Sequence, residues 1–191
     1  MIDDFQPIIH NLEGRTIRLW PVADLHIGSK ECQIDEFISF IKKVEKDKDA
    51  FIVLCGDIIN NGVKDSLTNV YEETMPPSEQ VDKAVELLRP LAQSGKILAA
   101  VGGNHEARSR KAVDLDPMYT IMCMLRIPHL YRQNMAFVRL NLKRNGSQDT
   151  YNLLVTHGKS ENKGKQFSRN IEGIDCYIQG HTHRGLATKP S

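Results

Sequence analysis

The chain has 191 residues, 40% hydrophobic and 26% charged, with a formal net charge of +1. That is enough chain for one domain with one sizeable core, and the even charge balance excludes a strongly basic nucleic-acid scaffold without excluding nucleic acid as a ligand. No apolar run approaches the roughly 20 residues of a membrane helix, and the acidic start MIDDFQPIIHNLEG lacks the features of a secretion signal.

In chain order, TIRLWPV (16–22) reads as a strand and DEFISFIKKVEKD (35–47) as an amphipathic helix. In that helix Phe37, Ile38, Phe40, Ile41 and Val44 recur on one face and the lysines take the other. AFIVLC (50–55) is apolar throughout, as a strand covered on both faces would be. SEQVDKAVELLRPLAQSG (78–95) is a second helix with Val81, Val85 and Leu88 in its stripe, ending at Gly95, and Pro90 predicts a kink or an irregular last turn. KILAAV (96–101) is a third strand and PMYTIMCMLR (117–126) a short helix. MAFVRLNL and TYNLLV flank Asn145-Gly146, a hairpin signal, and IDCYIQ (174–179) is the last strand. No repeat, low-complexity tract or linker interrupts residues 1–191, so one domain is expected.

Alternation of strands and helices in the first half implies parallel βαβ units, and the second half reads as a more antiparallel sheet. The expected fold is α/β: two mixed sheets packed as a sandwich flanked by helices. The four cysteines, Cys32, Cys55, Cys123 and Cys176, form no C-x-x-C pair. Reduced, buried thiols are expected, and with them a cytoplasmic location.

Each apolar run then ends on polar residues. ADLH supplies Asp24 and His26, GDIIN supplies Asp57, GGNHE supplies Asn104 and His105, THG supplies His157, and GHTH supplies His181 and His183. Ligands in such folds gather beyond the carboxyl ends of the strands. Carboxylates and imidazoles without thiolates suit divalent Mn, Fe, Co, Ni or Zn. In an extended segment, residues two apart point the same way, so Asp24/His26 and His181/His183 would each face a common point. One D-x-H or G-D carries little weight, because a histidine at a strand end is more often structural. Five such pieces at five strand ends are a different matter.

In order, DLH, GDIIN, GNHE, THG and GHTH resemble the five signature blocks of the calcineurin-like metallophosphoesterases, spanning Asp24 to His183. The resemblance implies a sandwich of two mixed sheets and a centre of two divalent metal ions, with Mn first among Mn, Fe, Zn, Co and Ni. It implies that Asp24, His26 and His183 bind one metal, that Asn104, His157 and His181 bind the other, and that Asp57 bridges them. A metal-bound hydroxide would attack the phosphate ester, and His105 would face the substrate as the acid.

Glu106 is expected either to orient a neighbouring histidine or to be a surface carboxylate. Arg108 and Arg110, with Lys159, Lys163 and Lys165, follow site blocks and are candidates for holding substrate phosphates. GDIINNG places Asn60 and Asn61 where protein phosphatases carry Asp and Arg. This favours a phosphodiester, in a nucleotide or nucleic acid, over a phosphomonoester or phosphoprotein. A non-catalytic metal-binding scaffold is the alternative of another class. After GHTHR only GLATKPS follows, so either the fold is compact here or strands that complete one sheet are missing. The residues say nothing of oligomeric state.

Overall fold

A computed structural model describes residues 4–14, 16–64, 71, 73–144, 146–159, 172–182 and 186–188. The strands are β1 (Ile8–Glu13), β2 (Arg18–Val22), β3 (Ala50–Leu54), β4 (Ile97–Val101), β5 (Tyr131–Arg132), β6 (Met135–Arg144), β7 (Ser147–Thr156), β8 (Cys176–Gln179) and β9 (Leu186–Thr188). The α-helices are α1 (Ile34–Lys46), α2 (Pro77–Gln93), α3 (Glu106–Val113) and α4 (Pro117–Met124).

One sheet runs β2-β3-β4-β5, with every pair parallel. The other runs β1-β6-β7-β8-β9, in which β1/β6 and β7/β8 are parallel and β6/β7 and β8/β9 antiparallel. The two-sheet α/β expectation therefore holds, with the correction that among the described residues only the second sheet is mixed and the first is parallel throughout. Strand β9 also gives the second sheet an edge that the short sequence after GHTHR had not suggested.

The sheets face each other through β4, β6 and β7. All of β4 is buried, and Ala136, Val138 and Leu140 of β6 and Leu153 and Val155 of β7 join it in one core cluster. β6 alternates core and more exposed residues as a half-covered strand should, whereas β7 is exposed over its first half and buried at Leu153, Leu154 and Val155. Their outer face carries a polar ladder in which Asn141 Nδ2 donates to Asn11 Oδ1 at 3.0 Å and Arg139 Nε to Asn152 Oδ1 at 3.1 Å. Helix α1 buries Phe37, Ile41 and Val44, and α1, α2 and α4 pack side by side.

Helix α2 runs through Pro90, which falls in its last turn, and stops at Gln93, with Ser94 as its cap and Gly95 just beyond. There φ is +67°, Lys96 N donates to Leu91 O at 2.8 Å and Gly95 N to Ala92 O at 3.1 Å. This is a Schellman motif, and its left-handed residue favours glycine. Helix α3 lies where the sequence offered no apolar stripe.

The parallel strands point their carboxyl ends to one rim. The segments after β2, β3, β4, β7 and β8 carry, respectively, Asp24 and His26, Asp57, Asn104 and His105, His157, and His181.

Candidate metal centre

Four of those rim residues hold backbone conformations that side chains resist. Asp24 (φ 55°), His26 (φ 49°), Asp57 (φ 53°) and His181 (φ 73°) are all left-handed. Non-glycine residues enter that region rarely, and such outliers gather at sites where the surrounding structure holds them for a purpose. The extended backbone expected for Asp24 and His26 is therefore not what brings them to the rim; two left-handed turns do. The surrounding structure is a continuation of the β2/β3 pairing beyond the strands. Asp24 N donates to Gly56 O (3.2 Å), His26 N to Asp57 O (3.1 Å) and Ile27 N to Ile58 O (3.0 Å).

Asp57 is the hub. It is 2% exposed, and its Oδ1 accepts from His105 N at 2.9 Å. Its Oδ2 lies 3.2 Å from His157 Nε2 and 3.8 Å from His105 Nε2. Donor atoms of Asp57, His157 and His181 all lie within 4.8 Å of one another, and so do those of His26, Asp57 and His105. Burial works against the Asp57 carboxylate, but the hydrogen bond and charge of His157, with the His105 N–H, outweigh it and hold the carboxyl below the usual aspartate range. Burial likewise opposes charge on His157, and the Asp57 partner outweighs it, so that the imidazole lies above its ordinary value.

The second sheet closes the site from the other side. His157 Nδ1 donates to Cys55 O at 2.8 Å, which fixes the tautomer and leaves Nε2 facing inward. His181 N donates to Asp24 Oδ2 at 3.0 Å. His157 Nε2 stands 2.9 Å from Asn104 Oδ1 and 3.2 Å from His181 Nδ1, and His181 Nδ1 stands 2.8 Å from Asn104 Oδ1.

With the imidazoles neutral and their protons on the outer nitrogens, these atoms and Asp57 Oδ2 would all offer electron pairs to one point, and a cation there would satisfy them together. Asp24 Oδ1 adds to the case, being buried with no hydrogen-bond partner among the described residues, a costly state unless a cation meets it. Carboxylate, imidazole and amide oxygen without thiolate is a donor set that fits a borderline divalent metal. His183, the remaining expected ligand, lies outside the described residues, as do Lys163 and Lys165.

Two features were not legible beforehand. The Glu106 carboxylate makes no hydrogen bond to a histidine among the described residues and is no surface group, being fully buried. Its carboxylate accepts four backbone N–H groups: Oε2 from Asp57 (3.0 Å) and Gly103 (2.9 Å), Oε1 from Ile58 (2.8 Å) and Ile59 (3.3 Å). It thus ties the GDIIN turn to the GGNHE turn. Burial, and then the Asp57 charge, push its carboxyl above the usual glutamate range against the pull of those donors. Gly103 explains the paired glycines, since a Cβ there would sit 2.1 Å from Asp57 Oδ1 and 2.4 Å from Asp57 N.

Asn61 is also fully buried. Its Nδ2 donates to His105 O at 2.7 Å, its Oδ1 accepts from Ser109 Oγ at 2.8 Å, and its N–H donates to the buried Gln80 Oε1 at 2.8 Å. A glutamine in a helix gives no sequence signal for such a role.

His105 stands at the mouth of the site, its ring centroid 4.2 Å from that of His26. Its Nδ1 donates to Asn60 O at 2.6 Å, and Arg108 donates to its Nε2 at 3.0 Å and to Asn60 O at 3.0 Å. Burial, ahead of the opposing pull of Asp57, lowers the His105 imidazole below its ordinary value. Arg110 turns to the opposite side, 3.3 Å from Asp116 Oδ2.

Residues 17–185 match the calcineurin-like phosphoesterase family. The chain belongs to that family. That family is metal-dependent, and the residues gathered around Asp57 are candidates for its ligands. A curated relative is the DNA double-strand break repair protein Mre11 of Methanopyrus kandleri, 28% identical over 123 residues. The match takes in 60% of this chain and 24% of the relative, so it spans about a quarter of that protein's length. No described helix is long and apolar enough to cross a membrane.

Proposed function

We propose that this calcineurin-like phosphoesterase hydrolyses phosphodiesters, of nucleotides or nucleic acid, at a centre of two divalent metal ions, with residues 1–191 forming one catalytic domain. The observation that carries the reading is the position of Asp57 in both donor clusters at once. Asp24, His26, His183 and one Asp57 oxygen would hold the first ion. Asn104, His157, His181 and the shared Asp57 would hold the second. Manganese is the ion placed first, and Fe, Zn, Co and Ni suit the same donor set.

Two such ions, when bound, would activate water and neutralise charge on both the attacking and the departing oxygens. The protein's own groups do the rest. Asn104 contributes a neutral oxygen, so the centre keeps positive charge for an anionic ester. Asn60 O accepts from His105 Nδ1, so that Nε2 faces the site; once Nε2 has taken a second proton from solvent, the imidazolium can deliver that proton to the leaving oxygen. Arg108 now occupies that nitrogen. An incoming phosphate is a stronger partner for a guanidinium, so substrate would draw Arg108 off and leave His105 facing the leaving group. Arg110 would take charge on the other side. The Mre11 relative and the GDIINNG block both favour the diester and a nuclease-like role. Four free thiols suit the reducing cytosol.

The test is a screen of the Mn-loaded chain against bis(p-nitrophenyl) phosphate, p-nitrophenyl phosphate, cyclic nucleotides, and single- and double-stranded DNA. Metal-dependent turnover that favours diesters is expected. A clear preference for the monoester would replace the reading by a phosphatase, and no turnover with any substrate would leave a scaffold.

A further inference from the structure

A groove of about 380 Å³ opens beside the proposed second metal position, running from Asn104, His157 and His181 out to Arg110, Lys111 and Lys159. Part of its wall is backbone alone, from Gly102, Gly103 and Gly158, so a ligand can approach the main chain closely. Its lining holds three cations and no carboxylate. Arg110 is a fixed member of that wall. Asp116 Oδ2 lies 3.3 Å from one of its nitrogens and is itself anchored by Tyr131 Oη at 2.7 Å. The Gln133 amide, with its oxygen turned toward Arg110, accepts from Nε at 2.7 Å. Lys111 and Lys159 are exposed, and neither forms an ion pair with a described residue. The groove therefore presents two positive charges that no described residue pairs, in a lining that also holds Asn104, His157 and His181. Its volume is near the lower end of the roughly 300–1,000 Å³ of small-ligand pockets, which is room for a single unit of a chain.

We infer that this groove is the subsite for one nucleotide unit adjoining the phosphate to be cleaved, with Lys111 and Lys159 meeting that unit's own phosphate. The inference rests on the phosphodiesterase reading and adds to it a substrate feature: the ester carries a further phosphate on the Asn104 side. It separates roles among the basic residues. Arg108 lies on the His105 side and serves the reacting phosphate. Lys111 and Lys159 serve its neighbour and decide between a minimal diester and a nucleotide chain. The sequence gives Lys111 no distinction, because it sits on an otherwise polar helix.

The experiment compares the wild type with the Lys111→Glu, Lys159→Glu double variant, in the Mn-loaded chain. The substrates are a short single-stranded thymidine oligonucleotide and bis(p-nitrophenyl) phosphate, which has no neighbouring phosphate. The ratio of kcat/KM between oligonucleotide and small diester should fall about tenfold in the double variant, mainly through KM, and the fall should shrink with added salt as phosphate contacts are screened. Lys143→Glu, at the far end of β6, should leave the ratio unchanged. A ratio unaltered in the double variant, or altered equally by Lys143→Glu, overturns the subsite.

Calorimetric titration with thymidine 5′-monophosphate gives a readout free of turnover. Binding by the wild type that weakens in the double variant supports the subsite, and equal binding by both overturns it. If the wild type binds the nucleotide through these lysines yet hydrolyses no diester, the groove stands and the phosphodiesterase reading falls.

Discussion

Replacing Glu106 by glutamine keeps the shape of the side chain and removes one of its two acceptor oxygens. In the native chain each carboxylate oxygen serves two backbone N–H groups, Asp57 and Gly103 at Oε2, Ile58 and Ile59 at Oε1. Whichever way the new amide turns, its NH₂ faces two buried donors. Each buried donor left without an acceptor costs about 1–3 kcal/mol, so the loss comes to about 2–6 kcal/mol. Burial holds the Glu106 carboxyl above its usual range, and removing the charge returns part of that cost. A net destabilisation of about 2–4 kcal/mol is therefore expected, a large share of a typical domain's stability. The Asp57 and Gly103 turns lose their shared anchor, so metal affinity should fall by about 10- to 100-fold, as when other outer partners of metal ligands are removed. Urea unfolding of chelator-treated wild type and variant measures the first quantity, and Mn titration the second. A stability change below about 0.5 kcal/mol with unchanged affinity would refute the tie between the two turns.

His105→Ala should retain its metals and lose about 10²- to 10⁴-fold in rate on esters with poor leaving groups, and less on nitrophenyl esters, whose leaving group needs no proton; equal losses on both would remove the acid role. Gly103→Ala places a Cβ within 2.1 Å of Asp57 Oδ1, so it should displace that carboxylate and abolish tight metal binding, and normal metal content would contradict the packing described. His10, whose Nε2 meets Leu98 O at 2.7 Å, is lowered by burial, which outweighs that hydrogen bond, with His129 adding to the lowering. A depressed imidazole stabilises the fold above its unfolded value, about 6.5, and that stability is lost as the pH falls through the folded value. The difference in unfolding free energy between wild type and His10→Gln should therefore change between about pH 7 and pH 5, and a difference constant across that range would sink the assignment.

The rim was legible because its signal is coarse. Apolar runs that stop at Asp57, Asn104, His157 and His181 place those residues beyond strand ends whatever the local geometry. The fine geometry was not. The Asp24/His26 spacing suggested an extended pair, and the chain uses left-handed backbone instead, a choice fixed by hydrogen bonds to the neighbouring segment 56–58. Glu106 resembles a solvated charge because three of its four partners are backbone groups some 47 to 49 positions away, and backbone groups leave no trace in sequence. Strand β1 owes its pairing to β6, with Ile8 opposite Val138, a long-range contact that a six-residue edge segment cannot announce. Helix α3, EARSRKAV, is polar on most sides and has no periodic stripe to reveal it.

The central claim is that Asp57 serves two metal ions. The most direct measurement is anomalous scattering from crystals of the Mn-loaded chain, set beside Mn stoichiometry after dialysis. Two ions close together within reach of the Asp57 carboxylate, both weakened in Asp57→Asn, are expected. One isolated ion in a metal-replete sample, or an Asp57→Asn variant that keeps both at full affinity, would contradict the account.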